Sequence, residues 1–197
     1  MDRECPHYYT ERTEESVPNT IKLIEYIRSL PPSRGTFHSA EPKLSDSHTR
    51  TSADGSPYVY PVLTPRFAIS TTDQLIASVG QLAASDLSLT IQTHISENPL
   101  EVVYTKNLFS HLSTEGKSIT YAGVYDHYGL LRNNTILAHA VHLEEEELEL
   151  VKERRSGISH CPTSNFNLTS GVAKVGVMLD KGIKVGHLPR EAIDITS

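Results

Sequence analysis

The sequence predicts a parallel α/β fold, and three observations lead to that prediction. Short apolar runs rich in β-branched residues alternate along the chain with segments of helical periodicity. The apolar runs are almost uninterrupted, which is typical of strands buried on both faces of a parallel sheet. Polar and ionisable side chains come late in these runs or just after them. The pattern alone leaves open whether the sheet closes into a barrel.

The composition is that of an ordinary soluble globular domain. The chain has 197 residues, 38% of them hydrophobic, and a formal net charge of −6. This acidic balance, without basic clusters among aromatic residues, argues against nucleic acid as a partner. No apolar run reaches the ~18 residues of a membrane span, and we expect no membrane partner and a cytoplasmic location. The two cysteines, Cys5 and Cys161, do not suggest a disulfide framework.

The chain begins with a predicted helix and a low-complexity segment. Apolar residues at Ile21, Ile24 and Ile27 recur at helical spacing within residues 16–30. After this helix, residues 31–57 are rich in Ser, Thr, Pro, Gly and charge, with few side chains able to bury surface. We interpret residues 1–30 as an N-terminal segment with one helix, and residues 31–57 as a mobile insertion.

Strands and helices alternate over residues 58–186, which we interpret as the core, and residues 187–197 are a divergent tail. The predicted strands are residues 58–69, 87–95, 135–143, 158–165 and 183–186. The predicted helices are residues 71–84, 97–109, 144–155 and 174–181. Thr71 with Gln74 forms a capping-box pattern, and Asn98 before Pro99 is an N-cap signal. The acidic run that opens the third of these helices is interpreted as a solvated helix face.

Candidate functional residues follow four successive predicted strands. They are Arg66, His94 with Glu97, His139 with His142, and His160 with Asn165. In a (β/α)8 barrel the active site is built from several strands at their C-terminal ends. A single histidine that closes an apolar strand is more often a hydrogen-bonded rim residue than a ligand. The repetition on successive strands favours a functional site.

The residue types in this set fit a metal-assisted reaction on a planar substrate. Neutral imidazoles such as His94 and His139 are able to ligate zinc from separate strands. Glu97 lies where a carboxylate can move protons, although a first-turn acid that stabilises the helix dipole is an equal alternative. Arg66 presents a planar fork for a purine carbonyl and ring nitrogen, and its alternative is an ordinary salt bridge. We interpret His142 and Cys161 as structural.

Four motifs together resemble the guanine deaminases of the amidohydrolase superfamily. They are TPRF (64–67), QTHISEN (92–98), LAHAVHL (137–143) and HCPTSNFNLTSG (160–171). HCPxSN marks the wider superfamily, whereas HISEN paired with TPRF is closer to guanine deaminases. The resemblance covers residues 58–186 and implies a partial (β/α)8 TIM-type barrel, about its strands four to eight. The preceding residues 1–30 resemble the segment that leads into the first of these strands.

The resemblance also implies a reaction and a role for each candidate. The reaction is hydrolytic deamination of guanine, the small-molecule substrate, to xanthine and ammonia. His94 and His139 would hold one zinc ion, and Glu97 would be the proton shuttle. The residues that would hold the purine or shape its pocket are Arg66, Phe67, Gln92, His160 and Asn165.

Two motifs of that family are absent from this sequence. The His-x-His of the first strand and the Gly-Thr-Asp of the eighth, which complete the zinc site, do not occur. We therefore expect a truncated form with an incomplete zinc site and little activity alone. Two alternatives stay open. One is a non-catalytic chain that pairs with itself or with a full-length deaminase, and the other is an amidohydrolase that acts on a different heterocyclic ring.

Overall fold

A computed structural model describes residues 1–30 and 59–187 of the chain. The α-helices are α1 Thr13–Ser29, α2 Asp73–Ser85, α3 Pro99–Leu108, α4 Tyr121–His127, α5 Glu145–Glu153, α6 Pro162–Asn167 and α7 Val175–Asp180. The strands are β1 Val62–Leu63, β2 Thr90–Ile95, β3 Thr135–His139, β4 Gly157–His160 and β5 Lys184–His187. The predicted mobile insertion and the tail from residue 188 onward lie outside the described residues. No helix within the described ranges has the length and apolar character needed to cross a bilayer.

The five strands form one parallel sheet in the order in which they occur along the chain. Each strand pairs with its sequence neighbour, so the strand order never reverses. A doubly wound sheet has a reversal in its strand order, whereas a (β/α)8 barrel adds strands in sequence. The predicted α/β class is therefore confirmed, and the topology is that of a barrel.

The core lies between one face of the sheet and the helices. Leu63, Ile91, Leu137 and Ile158 point to this side and are almost fully buried. The opposite face is different, because Val62 and Ile136 are 39% and 38% exposed. The prediction that the strands are buried on both faces is therefore wrong at these two positions. Ala138 and Ser159 lie on the same face and are each only 6% exposed.

Prolines explain where two predicted strands end early. The first predicted strand, residues 58–69, contains only the two paired residues of β1. Pro61 and Pro65 flank β1 and carry no N–H for the ladder. The predicted strand 158–165 stops at His160, because Pro162 begins α6. Asn165 therefore lies on a helix rather than on a strand.

Helix ends follow local capping chemistry. Asn98 forms a complete capping box with Glu101 at the start of α3, as its sequence pattern predicts. The predicted cap Thr71 is wrong by one residue, because the side chain of Thr72 accepts the bond from Leu75 N–H. Helix α1 begins at Thr13, three residues before its predicted start. These differences shift element ends without changing the element order.

Helix α4 was not predicted, although it contributes two of the largest buried side chains. Thr120 caps it by accepting a hydrogen bond from Gly123 N–H. Tyr121 and Tyr125 are fully buried, and their rings stack with centroids 5.5 Å apart. The tyrosines are neighbours across one helical turn. Helix α4 thus extends the core behind β2 with aromatic surface.

The acidic run before and within α5 is only partly solvated. Glu144, Glu145 and Glu146 are exposed, but Glu147 is fully buried. Its carboxylate accepts hydrogen bonds from Glu144 N–H at 2.8 Å and Ala122 N–H at 2.9 Å. Burial raises the pKa of Glu147. The interpretation of the run as a solvated face is therefore wrong for Glu147, which joins α5 to the start of α4.

Arg132 connects α2 to the start of β2, at the end of the sheet opposite the candidate residues. Its guanidinium donates to the carbonyl oxygens of Ala83 and Leu89, both at 2.6 Å. We expect Arg132→Met to lower the free energy of unfolding by about 2 kcal/mol, because two charge-assisted hydrogen bonds are lost. Urea unfolding of the purified chain measures this change. Lys152→Met, on the exposed face of α5, is the matched control, and an equal loss there would contradict the assignment.

Candidate functional site

Two histidines meet at the carboxyl ends of β2 and β3. The rings of His94 and His139 stack with their centroids 5.1 Å apart and their planes 23° from parallel. They are not register partners, since His94 pairs with Ala138 and His139 with Ile95. The adjacent parallel strands therefore bring together two imidazoles that are 45 positions apart in sequence. This is the convergence that the strand-end pattern predicted.

His94 is oriented by a single carbonyl group. Its Nδ1 lies 2.6 Å from the Arg66 oxygen, and its backbone N–H donates to the same oxygen at 3.0 Å. Because a carbonyl only accepts, Nδ1 carries the proton and Nε2 of the neutral ring keeps its lone pair. Burial lowers the pKa of His94 to about 4, although the hydrogen bond to the Arg66 carbonyl acts in the opposite direction. The ring is therefore neutral and able to ligate a metal at neutral pH.

His139 stands on a strained backbone turn. Its φ is +71° and that of Ala140 is +53°, and Ala140 N–H donates to Ala138 at 3.1 Å. A positive φ with a bond between residues two apart marks a γ-turn, which is rare for non-glycine residues. The ring is buried, and its Nδ1 lies 2.8 Å from Asn165 Oδ1. The turn thus redirects the His139 ring, and α6 supplies its hydrogen-bond acceptor.

Glu97 presents a carboxylate oxygen to the same histidine. Its Oε1 lies 3.4 Å from His139 Nδ1, and no described residue forms a hydrogen bond with that buried atom. The backbone N–H of Glu97 is held by Glu101 Oε2 at 3.0 Å. Burial raises the pKa of Glu101. A buried acceptor without a partner is costly unless a ligand or proton donor completes it.

A third left-handed residue of the site lies between His94 and Glu97. Ser96 is fully buried with a φ of +50°, and its carbonyl accepts from Val141 N–H and His142 N–H. The loop after β2 is therefore bonded to the loop after β3. Backbone strain of this kind costs of the order of 1–3 kcal/mol per residue and clusters at functional sites. The sequence motif contained Ser96, but its backbone role was not predicted.

Arg66 and Phe67 lie above His94. The Phe67 ring is edge-on to the His94 ring, with centroids 6.0 Å apart. The Arg66 guanidinium carbon is 5.8 Å from the Phe67 ring centroid, and its side chain is exposed. An aromatic ring beside an unburied guanidinium offers one stacking surface and one planar donor. This arrangement suits a flat, hydrogen-bonding ligand.

The two remaining candidates, Gln92 and His160, lie on the same sheet and differ in their exposure to solvent. Gln92 is exposed on the open face, two residues before His94. His160 ends β4 and is partly buried. Direct contacts thus connect six of the candidates, which are Arg66, Phe67, His94, Glu97, His139 and Asn165. Gln92 and His160 share the sheet with them.

The two residues interpreted as structural have backbone partners. His142 Nε2 lies 2.7 Å from the Ser170 carbonyl oxygen, which ties the loop after β3 to the loop after α6. Cys161 is 2% exposed, and its thiol donates to the Ser159 carbonyl at 3.3 Å. Burial raises the pKa of the Cys161 thiol. Both placements agree with the structural interpretation.

The donor set fits part of a zinc site. His94 and His139 each use Nδ1 for a hydrogen bond and leave Nε2 for a metal, which is how zinc-ligating histidines are usually held. Among the residues that the structure describes, no group of three or more His, Cys, Asp or Glu side chains could hold a metal ion. The described residues therefore offer two imidazole nitrogens and an adjacent carboxylate.

Comparison with known proteins identifies the family. Residues 6–187 match the model of the amidohydrolase family. The probable guanine deaminase of Schizosaccharomyces pombe is 46% identical over 94% of this chain and 30% of its own length. A solved Clostridium acetobutylicum guanine deaminase with bound guanine has 33% identity and a TM-score of 0.74, over 95% of this chain and 37% of its own. The Arthrobacter aurescens atrazine chlorohydrolase variant, complexed with zinc and atraton, has 22% identity and a TM-score of 0.68, over 94% and 34%.

These likenesses agree with the topology. The chain spans about a third of the length of the relatives that it matches. The sequential parallel sheet corresponds to part of the barrel fold of these proteins. The predicted partial (β/α)8 barrel is thus confirmed, and the chain belongs to the amidohydrolase family.

Proposed function

We propose that this chain contributes the purine-binding and proton-transfer part of a guanine deaminase, which hydrolyses guanine to xanthine and ammonia. One observation carries the proposal. The Arg66 carbonyl orients His94, whose ring stacks on His139, and Glu97 lies against His139. The proposed substrate clamp, metal ligands and proton shuttle therefore form one connected unit. The similarity to guanine deaminases supports guanine as the substrate.

His94 and His139 are the proposed zinc ligands in this chain. Their Nε2 atoms are the nitrogens left free by the hydrogen bonds to the Arg66 carbonyl and the Asn165 side chain. When bound, zinc supplies a Lewis acid that lowers the pKa of water, so that hydroxide is available at neutral pH. A site with two protein ligands holds zinc weakly, since zinc prefers four-coordinate sites with at least three protein ligands.

Glu97 is the proposed proton carrier. Its Oε1 is buried and has no hydrogen-bond partner among the described residues, so it is available to accept a proton from the attacking water. The carboxylic acid then donates that proton to the purine ring nitrogen next to the attacked carbon. Glu97 next takes the proton of the hydroxyl group that the water has added to this carbon and passes it to the amino group. The carbon–nitrogen bond then breaks, the amino group leaves as ammonia, and the new carbonyl of xanthine forms. The Glu101 carboxylate holds the Glu97 backbone N–H and fixes the start of this path.

Arg66 and Phe67 are the proposed purine clamp. The exposed guanidinium is able to donate two parallel hydrogen bonds to the carbonyl oxygen and a ring nitrogen of guanine. The Phe67 ring offers a stacking face beside His94. We propose that Gln92, His160 and Asn165 shape the rest of the pocket. Asn165 does so while it holds His139.

A hybrid enzyme tests the proposed function. Residues 1–187 of this chain would replace the matching segment of the Schizosaccharomyces pombe relative, which is 46% identical. We expect the hybrid to form xanthine from guanine, measured by chromatography. For the purified chain with added zinc, we expect at most traces of xanthine. A folded hybrid that binds zinc but leaves guanine intact would overturn the proposed substrate.

Zinc binding by the chain itself tests the two ligands separately from catalysis. We expect weak binding by isothermal titration calorimetry, removed by a chelator. His94→Ala and His139→Ala should each weaken it by more than about tenfold, the smallest loss seen when a supporting partner of a zinc ligand is removed. His111→Ala is the control, since His111 is exposed and pairs with Asp73. Equal affinity in all four proteins would exclude this pair as ligands.

The open face of the sheet favours a second candidate, a non-catalytic chain that pairs with a full-length deaminase. Val62, Gln92 and Ile136 are exposed on that face, and β1 and β5 are the outer strands of the sheet. Outer strands with unpaired backbone groups invite pairing with another chain. Light scattering of the chain alone and after mixing with the deaminase distinguishes a homo-oligomer, a mixed complex and a monomer. We also propose a cytoplasmic location, supported by the two free thiols.

A further inference from the structure

A buried hydroxyl on α4 joins the loop that carries Arg66 to the strand that carries His94. The Tyr125 hydroxyl accepts from Ala68 N–H at 3.0 Å and from Thr93 Oγ1 at 2.9 Å. It also donates to the His94 carbonyl at 2.8 Å. Tyr125 is fully buried, and burial raises the pKa of this phenol, which therefore stays protonated as a donor. The hydroxyl thus uses its one donor position and both of its acceptor positions.

Hydrogen bonds connect both ends of the Arg66–Ala68 loop to His94. At one end of the loop, the Arg66 carbonyl accepts from His94 N–H and lies next to His94 Nδ1. At the other end, Ala68 N–H is bonded to Tyr125, which holds the carbonyl of the same histidine. The loop and His94 are thus connected twice. A movement of the loop would have to break a bond to the His94 ring or to the Tyr125 hydroxyl.

We propose that Tyr125 is a positioning residue that makes the purine clamp and the zinc ligand one rigid unit. The inference rests on the proposed roles of Arg66 and His94. The Tyr125 hydroxyl touches neither substrate nor metal and acts through the backbone. Its loss would remove the bond to Ala68 N–H, and the loop would then hold the Arg66 carbonyl less firmly against His94 Nδ1–H. The tautomer and direction of the His94 ring would then be less well defined.

Tyr125→Phe and Tyr121→Phe form a matched pair for the test. Both tyrosines lie on α4 and are fully buried, but the Tyr121 hydroxyl interacts with the side chains of Glu101 and Thr105 and forms no hydrogen bond with Ala68 or His94. In Tyr125→Phe we expect the Ala68 amide to exchange with solvent at least about tenfold faster. We also expect the two ¹⁵N shifts of the His94 ring to move toward each other at neutral pH, as the tautomers mix. Tyr121→Phe, which removes neither the bond to Ala68 nor the bond to His94, should change both measurements clearly less.

Zinc affinity is the third measurement, and it separates this inference from the proposed function. We expect Tyr125→Phe to bind zinc about tenfold more weakly than the unaltered chain, as the loss of outer support for a ligand does. If the unaltered chain binds no zinc, the proposed metal role is wrong. The exchange rate of the Ala68 amide and the ¹⁵N shifts of the His94 ring then still test the role of Tyr125. Unchanged exchange and unchanged ring shifts in Tyr125→Phe would overturn the inference, as would equal changes in Tyr121→Phe.

Thr93→Val is a milder variant for the case in which Tyr125→Phe does not fold. It removes one donor to the Tyr125 hydroxyl, together with the longer 3.4 Å bond of Thr93 Oγ1 to the Arg66 carbonyl. The other two bonds of Tyr125 and the shape of the side chain are kept. We expect the same direction of change at Ala68 and His94 with a smaller size, about two- to fivefold in exchange. If the Ala68 exchange rate and the His94 ring shifts of Thr93→Val equal those of the unaltered chain, the proposed role of Tyr125 is contradicted.

Discussion

Replacing Glu97 by Gln should lower the rate of guanine deamination by a factor of about 10² to 10⁴ in the hybrid enzyme, the range that a positioned acid–base group contributes. Glutamine keeps the size and planarity of the side chain but does not carry the proton. The Glu97 backbone bond to Glu101 and the neighbouring His139 stay in place. We therefore expect kcat to fall while KM changes little, measured from xanthine formed at a series of guanine concentrations.

Glu146→Gln is the control, because Glu146 is an exposed carboxylate on α5 that pairs with Lys117 and contacts none of the candidate residues. It should leave kcat unchanged. The zinc content of Glu97→Gln should equal that of the unaltered hybrid, since Glu97 is not a proposed ligand. A kcat within a factor of three of the unaltered value would show that another group moves the proton. The alternative of a first-turn helix acid is already wrong, because Glu97 precedes the N-cap Asn98 of α3.

Element identity along the core was predictable because each pattern has a direct physical cause. The β-branched run before His94 forms β2, and the Asn98–Pro99 pair begins α3. Errors arose where a proline limits a strand, as at Pro162, which begins α6. A proline can follow a strand or open a helix, and local sequence alone does not decide between them. The position of Asn165 on a helix had to come from the structure.

The side chains at the strand ends were easier to predict than the residues that hold them. His94 and His139 stand out because each interrupts an apolar run. Tyr125 acts on backbone groups 31 and 57 positions away, and such partners have no sequence signature. Its helix was detectable, however, from the Thr120 cap and the apolar spacing that follows it. A search for capped helices would have found the element but not its role.

The strained turns were not predictable for a related reason. Ser96, His139 and Ala140 adopt positive φ, yet none of them is glycine or asparagine, the residues that usually mark such positions. Their conformation is maintained by long-range bonds, such as Ala140 N–H to Ile95 and His142 N–H to Ser96. Tertiary contacts therefore decide the local backbone here. The same contacts bring the His139 ring to His94 and Glu97.

Arg66→Ala should lower kcat/KM for guanine by about 10²- to 10³-fold in the hybrid, because two charge-assisted hydrogen bonds to the purine are lost. Arg66→Lys should recover only a small part of this loss, since an ammonium keeps the charge but not the planar fork. Zinc affinity should be nearly the same in all three proteins. The reason is that the backbone carbonyl of residue 66, which holds His94, is present whatever the side chain.

This combination distinguishes the side chain of Arg66 from its backbone. If guanine turnover is lost while zinc binding is unchanged, the guanidinium of Arg66 binds the substrate and its backbone carbonyl holds His94. Loss of both would mean that the substitution moves the whole loop, which the exchange rate of the Ala68 amide would show directly. Unchanged guanine kinetics in Arg66→Ala would favour a structural arginine, and hence an amidohydrolase whose natural substrate is a different heterocyclic ring.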